Sequence, residues 1–172
     1  GFHILFPLRV SVPCGRCTIQ LEHLEPELMF IARISMKKFT LPIKVMFSDC
    51  DPAQIVFYPR YFQWFDIATQ RMFNELDMEW STFWPERGIA GLPLVDASAT
   101  FRGPARMDDE ISVISWVDDW RGKTFIVRHD VIKGDEVIVE GKEVRACVAT
   151  DLDTDKGIRA IPIPEDVIAK FS

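Results

Sequence analysis

The sequence predicts an α+β domain in which a curled antiparallel sheet wraps one long central helix. Three observations carry this reading. Tyr61, Trp64, Phe65, Ala68, Met72 and Leu76 recur at helical spacing and form one broad, mostly aromatic stripe. From Leu92 onward the chain turns to long runs rich in Val, Ile, Thr and aromatic residues. The joints between those runs, Met107-Asp108, Gly122 and Gly134-Asp135, are short enough for antiparallel hairpins. A stripe of large rings needs a broad, flat partner, and a sheet supplies one.

Residues 1–35 show no sustained period and hold two of the four cysteines, and Met36-Lys37-Lys38 reads like a natural start. We therefore expect 1–35 to be an extension, with a short helix or helix-to-strand piece at 22–34, and a single domain over 36–172. Residues 39–47, "FTLPIKVMF", read as a strand with Pro42 near its start. The helix comes after a loop, and Pro59 suits its first position, where a missing N–H costs nothing. Residues 81–88 read as a short turn or helix ending at Gly88. Strands are expected over 92–106, 109–121, 123–133 and 136–150. The C-terminus predicts an extended piece and one helical turn after Pro164. The free edges and outer face of such a sheet invite a second subunit.

Composition sets limits. The chain has 172 residues, 48% apolar and 27% charged, with net charge −6. That is an ordinary globular balance, and the negative charge argues against nucleic acid or an anionic membrane as partner. No run of about 18 apolar residues occurs, so no membrane-spanning helix is expected. Cys14-Gly-Arg-Cys17 lacks the second pair a zinc ribbon needs, so the cysteines read as free thiols and a reducing cytoplasm as the compartment.

The segment "SDCDPAQIVFYP" (48–59) concentrates the chemistry. With Pro59 opening the helix, the N–H groups of Tyr58, Arg60 and Tyr61 should lack intrahelical partners at the positive end of the helix dipole. Asp51 lies on the loop leading into that terminus. Ile55, Val56 and Phe57 should line an apolar slot between the two. A carboxylate facing N–H donors across an apolar slot suits attack on a carbonyl, as nucleophile or as base for water. An Asx turn without catalysis is the plainer reading of the same spacing. No histidine is near, so a metal is not expected.

The stretch "DCDPAQIVFYPRYFQWFD" (49–66) resembles the motif D-C-D-P-A-G-I-V-[FWY]-Y-P-x-Y of the 4-hydroxybenzoyl-CoA thioesterase family of hotdog-fold proteins. The likeness continues in residues 86–101, 120–129 and 159–164, and spans roughly residues 38–170. The resemblance implies a hotdog fold, hydrolysis of an aromatic or short-chain acyl-CoA without a cofactor, and a homodimer or dimer of dimers (a homotetramer). It matches Asp51 to the catalytic carboxylate and Tyr58 to the residue whose backbone N–H polarises the thioester carbonyl. Asp66 matches a helix position near the acyl pocket, within reach of a ring hydroxyl. Arg121, Lys123 and Arg128 surround the turn where the family places nucleotide contacts, and are candidates for coenzyme A phosphates. Phe57 and Gln54 fall within the motif as substrate-binding candidates. Two departures stand out: Gln54 replaces the motif's Gly, and Gly91-Leu92-Pro93 replaces G-T-P. The rival readings are a hotdog hydratase or dehydratase acting on acyl thioesters, and an inactive CoA-ester binding module. His129, on an alternating strand, is given no role.

Overall fold

The computed structural model describes residues 36–153 and 157–172. The extension expected over 1–35, with the Cys14–Cys17 pair and the helix considered at 22–34, lies outside the described residues. The main elements are β1 (Phe39–Lys44), α1 (Pro59–Asn74), α2 (Phe83–Glu86), β2 (Leu94–Phe101), β3 (Glu110–Arg121), β4 (Thr124–Lys133) and β5 (Glu136–Ala146). The chain ends with β6 (Val148–Thr150), β7 (Ile158–Ala160) and α3 (Glu165–Ala169). A five-stranded sheet has the order β1-β3-β4-β5-β2, every pair antiparallel. Strands β6 and β7 form a separate antiparallel pair.

The β3–β4 and β4–β5 hairpins form as expected. Gly122 and Gly134 turn them at φ +71° and +59°, a region that side chains disfavour. The expected hairpin at Met107-Asp108 does not form, because β2 pairs with β5 at one edge and β1 takes the free side of β3 at the other. The run expected over 92–106 stops at Phe101. Arg102 and Gly103 donate their N–H groups to Ile138 O at 2.8 and 3.1 Å, and Pro104 has none to offer. The chain then crosses to β3. On the way, Val56 N–H donates to Ala105 O and Val45 N–H to Asp109 O, both at 2.9 Å. The strand expected over 136–150 breaks at Cys147, whose N–H donates to Lys123 O while β6 turns to β7. The strand expected over 39–47 ends at Lys44, and Phe47–Asp49 is a 3-10 turn.

Helix α1 lies on the concave face of the sheet. Tyr61, Trp64, Phe65, Ala68 and Met72 are all buried, and Phe73 joins them. Near the helix start the stripe packs on Leu41, Val113, Val131 and Val139; towards its end it packs on Val117, Phe125 and Val127. Burying each large side chain contributes about 1.5–3 kcal/mol. Phe65 presses so closely on β5 that a Cβ at Gly141 would stand 2.5 Å from its ring. His129 stacks on the same ring at 4.6 Å between centroids.

Candidate active site

The two carboxylates of the 48–59 segment do different work. Asp49 is buried: its Oδ2 accepts the Met46 N–H at 2.8 Å, and its Oδ1 lies 3.4 Å from Arg60 Nε. Phe57 N–H donates to Asp49 O at 2.8 Å, so this residue ties the loop to the helix start. Asp51 is only half-buried. Its Oδ1 accepts the Ala53 N–H at 2.8 Å in an Asx turn, while Asp51 N–H and Asp51 O bond to Ile55 O and Gln54 N–H at 2.9 and 2.8 Å. These bonds fix the backbone and leave Oδ2 without a partner among the described residues.

Two grooves meet at Asp51. One, of about 820 Å³, is lined by Phe47, Cys50, Asp51, Pro52, Gln54, Arg106 and Met107. The other, of about 570 Å³, has walls formed by Ile55, Val56, Tyr58, Tyr61 and Phe101, with Asp51 at its junction with the first. Tyr61 is buried, which pushes its phenol above the ordinary tyrosine value; the nearby charges of Asp109 and Cys50 act the same way, against a bond from the Ala105 backbone. The ring therefore enters the second groove as a neutral hydroxyl.

The expectation for the helix terminus needs correction. Arg60 N–H donates to Phe57 O at 2.9 Å and Tyr61 N–H to Tyr58 O at 3.2 Å, because the helix opens with a tight i→i+3 turn. Of the three amides, only that of Tyr58 has no acceptor among the described residues, and Tyr58 lines the second groove with Asp51. Phe57 is half-exposed and meets the Tyr58 ring edge-on at 5.3 Å, and it is not among the residues lining either groove. Gln54 lines the first groove and adopts φ +61°, the conformation for which glycine is suited.

The remaining candidates lie elsewhere. Asp66 accepts from Arg145 Nη2 at 2.5 Å and lines neither groove. Arg145 also donates to Glu143 and belongs to a buried network with Thr69 and His129. Arg121 pairs with Asp119 at 2.7 Å and Arg128 with Asp118 at 3.0 Å, while Lys123 is exposed at the β3–β4 turn. That turn and the Asp51 loop lie at opposite ends of β3. Its 12 residues extend over roughly 35 Å. Asp51 and the basic turn of one chain therefore do not share a cleft.

Arg102, Arg106, Met107 and Phe47 line the grooves and are absent from the sequence-derived candidates. Gly103-Pro104 was the available signal, since a glycine and a proline together end a strand and release the next residues as loop. Among the described residues no group of three or more His, Cys, Asp or Glu side chains is placed to hold a metal ion, and no helix is long and apolar enough to cross a membrane.

The thioesterase-like superfamily matches residues 45–171 of the chain. The 4-hydroxybenzoyl-CoA thioesterase of Pseudomonas sp. (strain CBS-3) is 33% identical over 138 residues, 77% of this chain and 96% of the relative. The solved structure of the Pseudomonas enzyme superposes with a TM-score of 0.71 at 33% identity, covering 78% of this chain and 99% of that one. A gentisyl-coenzyme A thioesterase structure superposes with a TM-score of 0.65 at 32% identity, covering 77% and 98%.

Proposed function

The chain belongs to the thioesterase-like superfamily and is a thioester hydrolase, and we propose that it cleaves aromatic or short-chain acyl-CoA esters to free acid and CoA at the junction of its two grooves. The observation that supports this most is that one half-exposed carboxylate, Asp51, borders both grooves while Tyr58, whose N–H has no acceptor among the described residues, lines one of them.

A thioester has two arms, acyl and pantetheine, and the junction offers a groove to each. With the carbonyl oxygen on the Tyr58 N–H, negative charge growing on that oxygen meets a fixed donor at the positive helix end. Two routes then use the same two groups. As base, Asp51 takes a proton from water, whose oxygen adds to the carbonyl carbon. The tetrahedral oxyanion collapses, the C–S bond breaks and CoA leaves as thiolate. As nucleophile, the carboxylate attacks the carbon, expels the thiolate and forms a mixed anhydride that water opens. The apolar walls of the larger groove, Phe47, Pro52 and Met107, suit an aryl acyl group, in keeping with the relatives that act on 4-hydroxybenzoyl-CoA and gentisyl-CoA, and the second groove is left to pantetheine.

The working unit in this reading is a homodimer or dimer of dimers in the cytoplasm. Edge strand β2 exposes Leu94, Val95 and Phe101, an apolar edge that a second copy would cover. Arg121, Lys123 and Arg128 would then reach CoA from a neighbouring protomer, where Coulombic attraction to phosphate outweighs their weak surface pairs with Asp119 and Asp118. Asp66 holds Arg145 through Oδ1 and is exposed, so its Oδ2 can accept from a ring hydroxyl with that pair intact.

Asp51→Asn is the direct test. Asparagine keeps an oxygen for the Ala53 N–H, so the loop and the thermal midpoint should be preserved. Thiol release from benzoyl-CoA should fall by about 10³-fold. Hydrolysis at the wild-type rate would remove Asp51 from the chemistry.

A further inference from the structure

Hydrolysis at the groove junction uses Asp51 and Tyr58 and leaves one cation in the larger groove without a task. Arg106 lines that groove beside Asp51 and Gln54. Other arginines around the domain are engaged: Arg60 with Asp49, Arg87 with Asp166, Arg102 with Glu140, Arg121 with Asp119 and Arg128 with Asp118. Among the described residues no carboxylate lies within ion-pair distance of the Arg106 guanidinium. Asp109 is the acid that feels its charge, but that carboxylate is held by Lys133 Nζ at 2.6 Å and by the Arg106 backbone N–H at 2.7 Å. Among the described residues the guanidinium makes one hydrogen bond, from Nη1 to Gln54 O at 3.4 Å. It orients the head group and leaves most of its donors open.

We propose that Arg106 is a specificity-determining residue that receives a carboxylate carried by the acyl group of the substrate, an inference that rests on the thioesterase reading of the Asp51 junction. Three features support it. First, the guanidinium presents a planar fork of donors, which matches a carboxylate in bidentate fashion. Second, the groove that holds it with Asp51 and Gln54 also has apolar walls, Phe47, Pro52 and Met107, suited to the hydrocarbon that bears such a group. Third, its reach favours the acyl arm over the nucleotide. Gln54 N–H donates to Asp51 O at 2.8 Å, which holds Gln54 against Asp51. The guanidinium bonded to the Gln54 carbonyl therefore stands within roughly 10 Å of the Asp51 backbone. Extended pantetheine, two amide-linked units long, carries the CoA phosphates beyond that reach. In a protein of net charge −6, a second anionic group on the substrate would be repelled unless a local cation received it.

Non-hydrolysable thioethers read this preference without turnover. Titration calorimetry would compare para-carboxybenzyl-CoA with benzyl-CoA on the wild type, Arg106→Ala and Arg106→Lys, each first shown to melt cooperatively. The wild type should bind the carboxylated ligand about tenfold or more tightly than the plain one. Arg106→Ala should bring the ratio to one, and Arg106→Lys, with charge but no fork, should keep only part of it. Equal affinities in the wild type would overturn the proposal even if no variant folds. So would a ratio unchanged in Arg106→Ala, or an equal loss for both ligands, which would assign the guanidinium to the phosphates. Thiol release from benzoyl-CoA by the wild type is scored separately: its failure would count against the hydrolytic reading and leave the binding ratio interpretable.

Discussion

Gln54 holds a backbone angle that its side chain opposes. At φ +61°, a Cβ crowds the following carbonyl at a cost of roughly 1–2 kcal/mol. Asp77 and Asp108 share the region, but an aspartate tolerates it through local hydrogen bonds that Gln lacks the reach to copy. The strain persists because the loop is over-determined: Gln54 N–H is bound to Asp51 O, Gln54 O to Arg106, and Val56 N–H to Ala105 O. Gln54→Gly should therefore stabilise the fold. The gain should be up to about 1 kcal/mol, since glycine returns part of the relief through its greater freedom in the unfolded chain. Gln54→Ala keeps the strained angle and loses only the amide, so it should show no such gain. Urea unfolding of the pair isolates the backbone effect, and equal midpoints would mean the loop carries no strain. The departure from the motif's glycine marks this residue in the sequence alone. The angle it must adopt is legible only through its neighbours.

Between helix and sheet, the telling feature is polar. Thr69 on α1 donates to Glu143 Oε2 at 2.8 Å, Arg145 donates to both Glu143 oxygens, and His129 Nε2 stands 3.5 Å from the same carboxylate. Ser115 meets His129 Nδ1 at 2.8 Å. Burial raises the Glu143 carboxyl, but the nearby His129 ring and the hydrogen bonds and charge of Arg145 outweigh it and hold the group down at about 2. Burial also lowers His129 and keeps it neutral, although Glu143 pulls the other way. Both groups take up protons more readily when unfolded, so both make stability fall as pH falls. The His129 contribution begins to be lost below its unfolded value near 6.5, and that of Glu143 between 4.5 and about 2. The Glu143 shift corresponds to on the order of 3 kcal/mol. Glu143→Gln should destabilise the fold by about 3–5 kcal/mol near neutral pH, because it strips Arg145 of its main partner. It should also flatten the acid limb of the stability curve in the Glu143 window, as measured by urea midpoints across that range. A limb unchanged in the variant would exclude Glu143 as its source. None of this network was readable in advance, because His129, Glu143 and Arg145 are brought together by the sheet register and Thr69 by the packing of α1 on the sheet. The α1 stripe and the β3–β5 hairpins were readable, because periodicity and turn glycines are local signals. The pairing of β2 with β5 was not, because the choice of sheet edge is made by distant strands.

At the scale of the whole molecule, the separation of Asp51 from the basic β3–β4 turn decides what the assembly must do. The two lie at opposite ends of a 12-residue strand, roughly 35 Å apart, further than one thioester substrate spans from reacting carbon to phosphate. If both serve one substrate, they come from different protomers. Arg121→Ala combined with Lys123→Ala should then raise KM for CoA esters about tenfold, and leave KM for nucleotide-free thioester analogues close to wild type, as loss of charge-assisted phosphate contacts requires. Asp51→Asn alone should be inactive. Co-expressed and purified as a hybrid through distinct tags, the two inactive or weakened chains complement each other only in the shared arrangement. Asp51 of the turn-deficient chain meets the intact turn of the Asp51→Asn chain and forms one full site for every two chains. Steady-state kinetics of the hybrid should show about half the wild-type kcat at wild-type KM. A hybrid with only the raised KM would mean that each chain builds its site from its own residues, and the shared arrangement would be overturned.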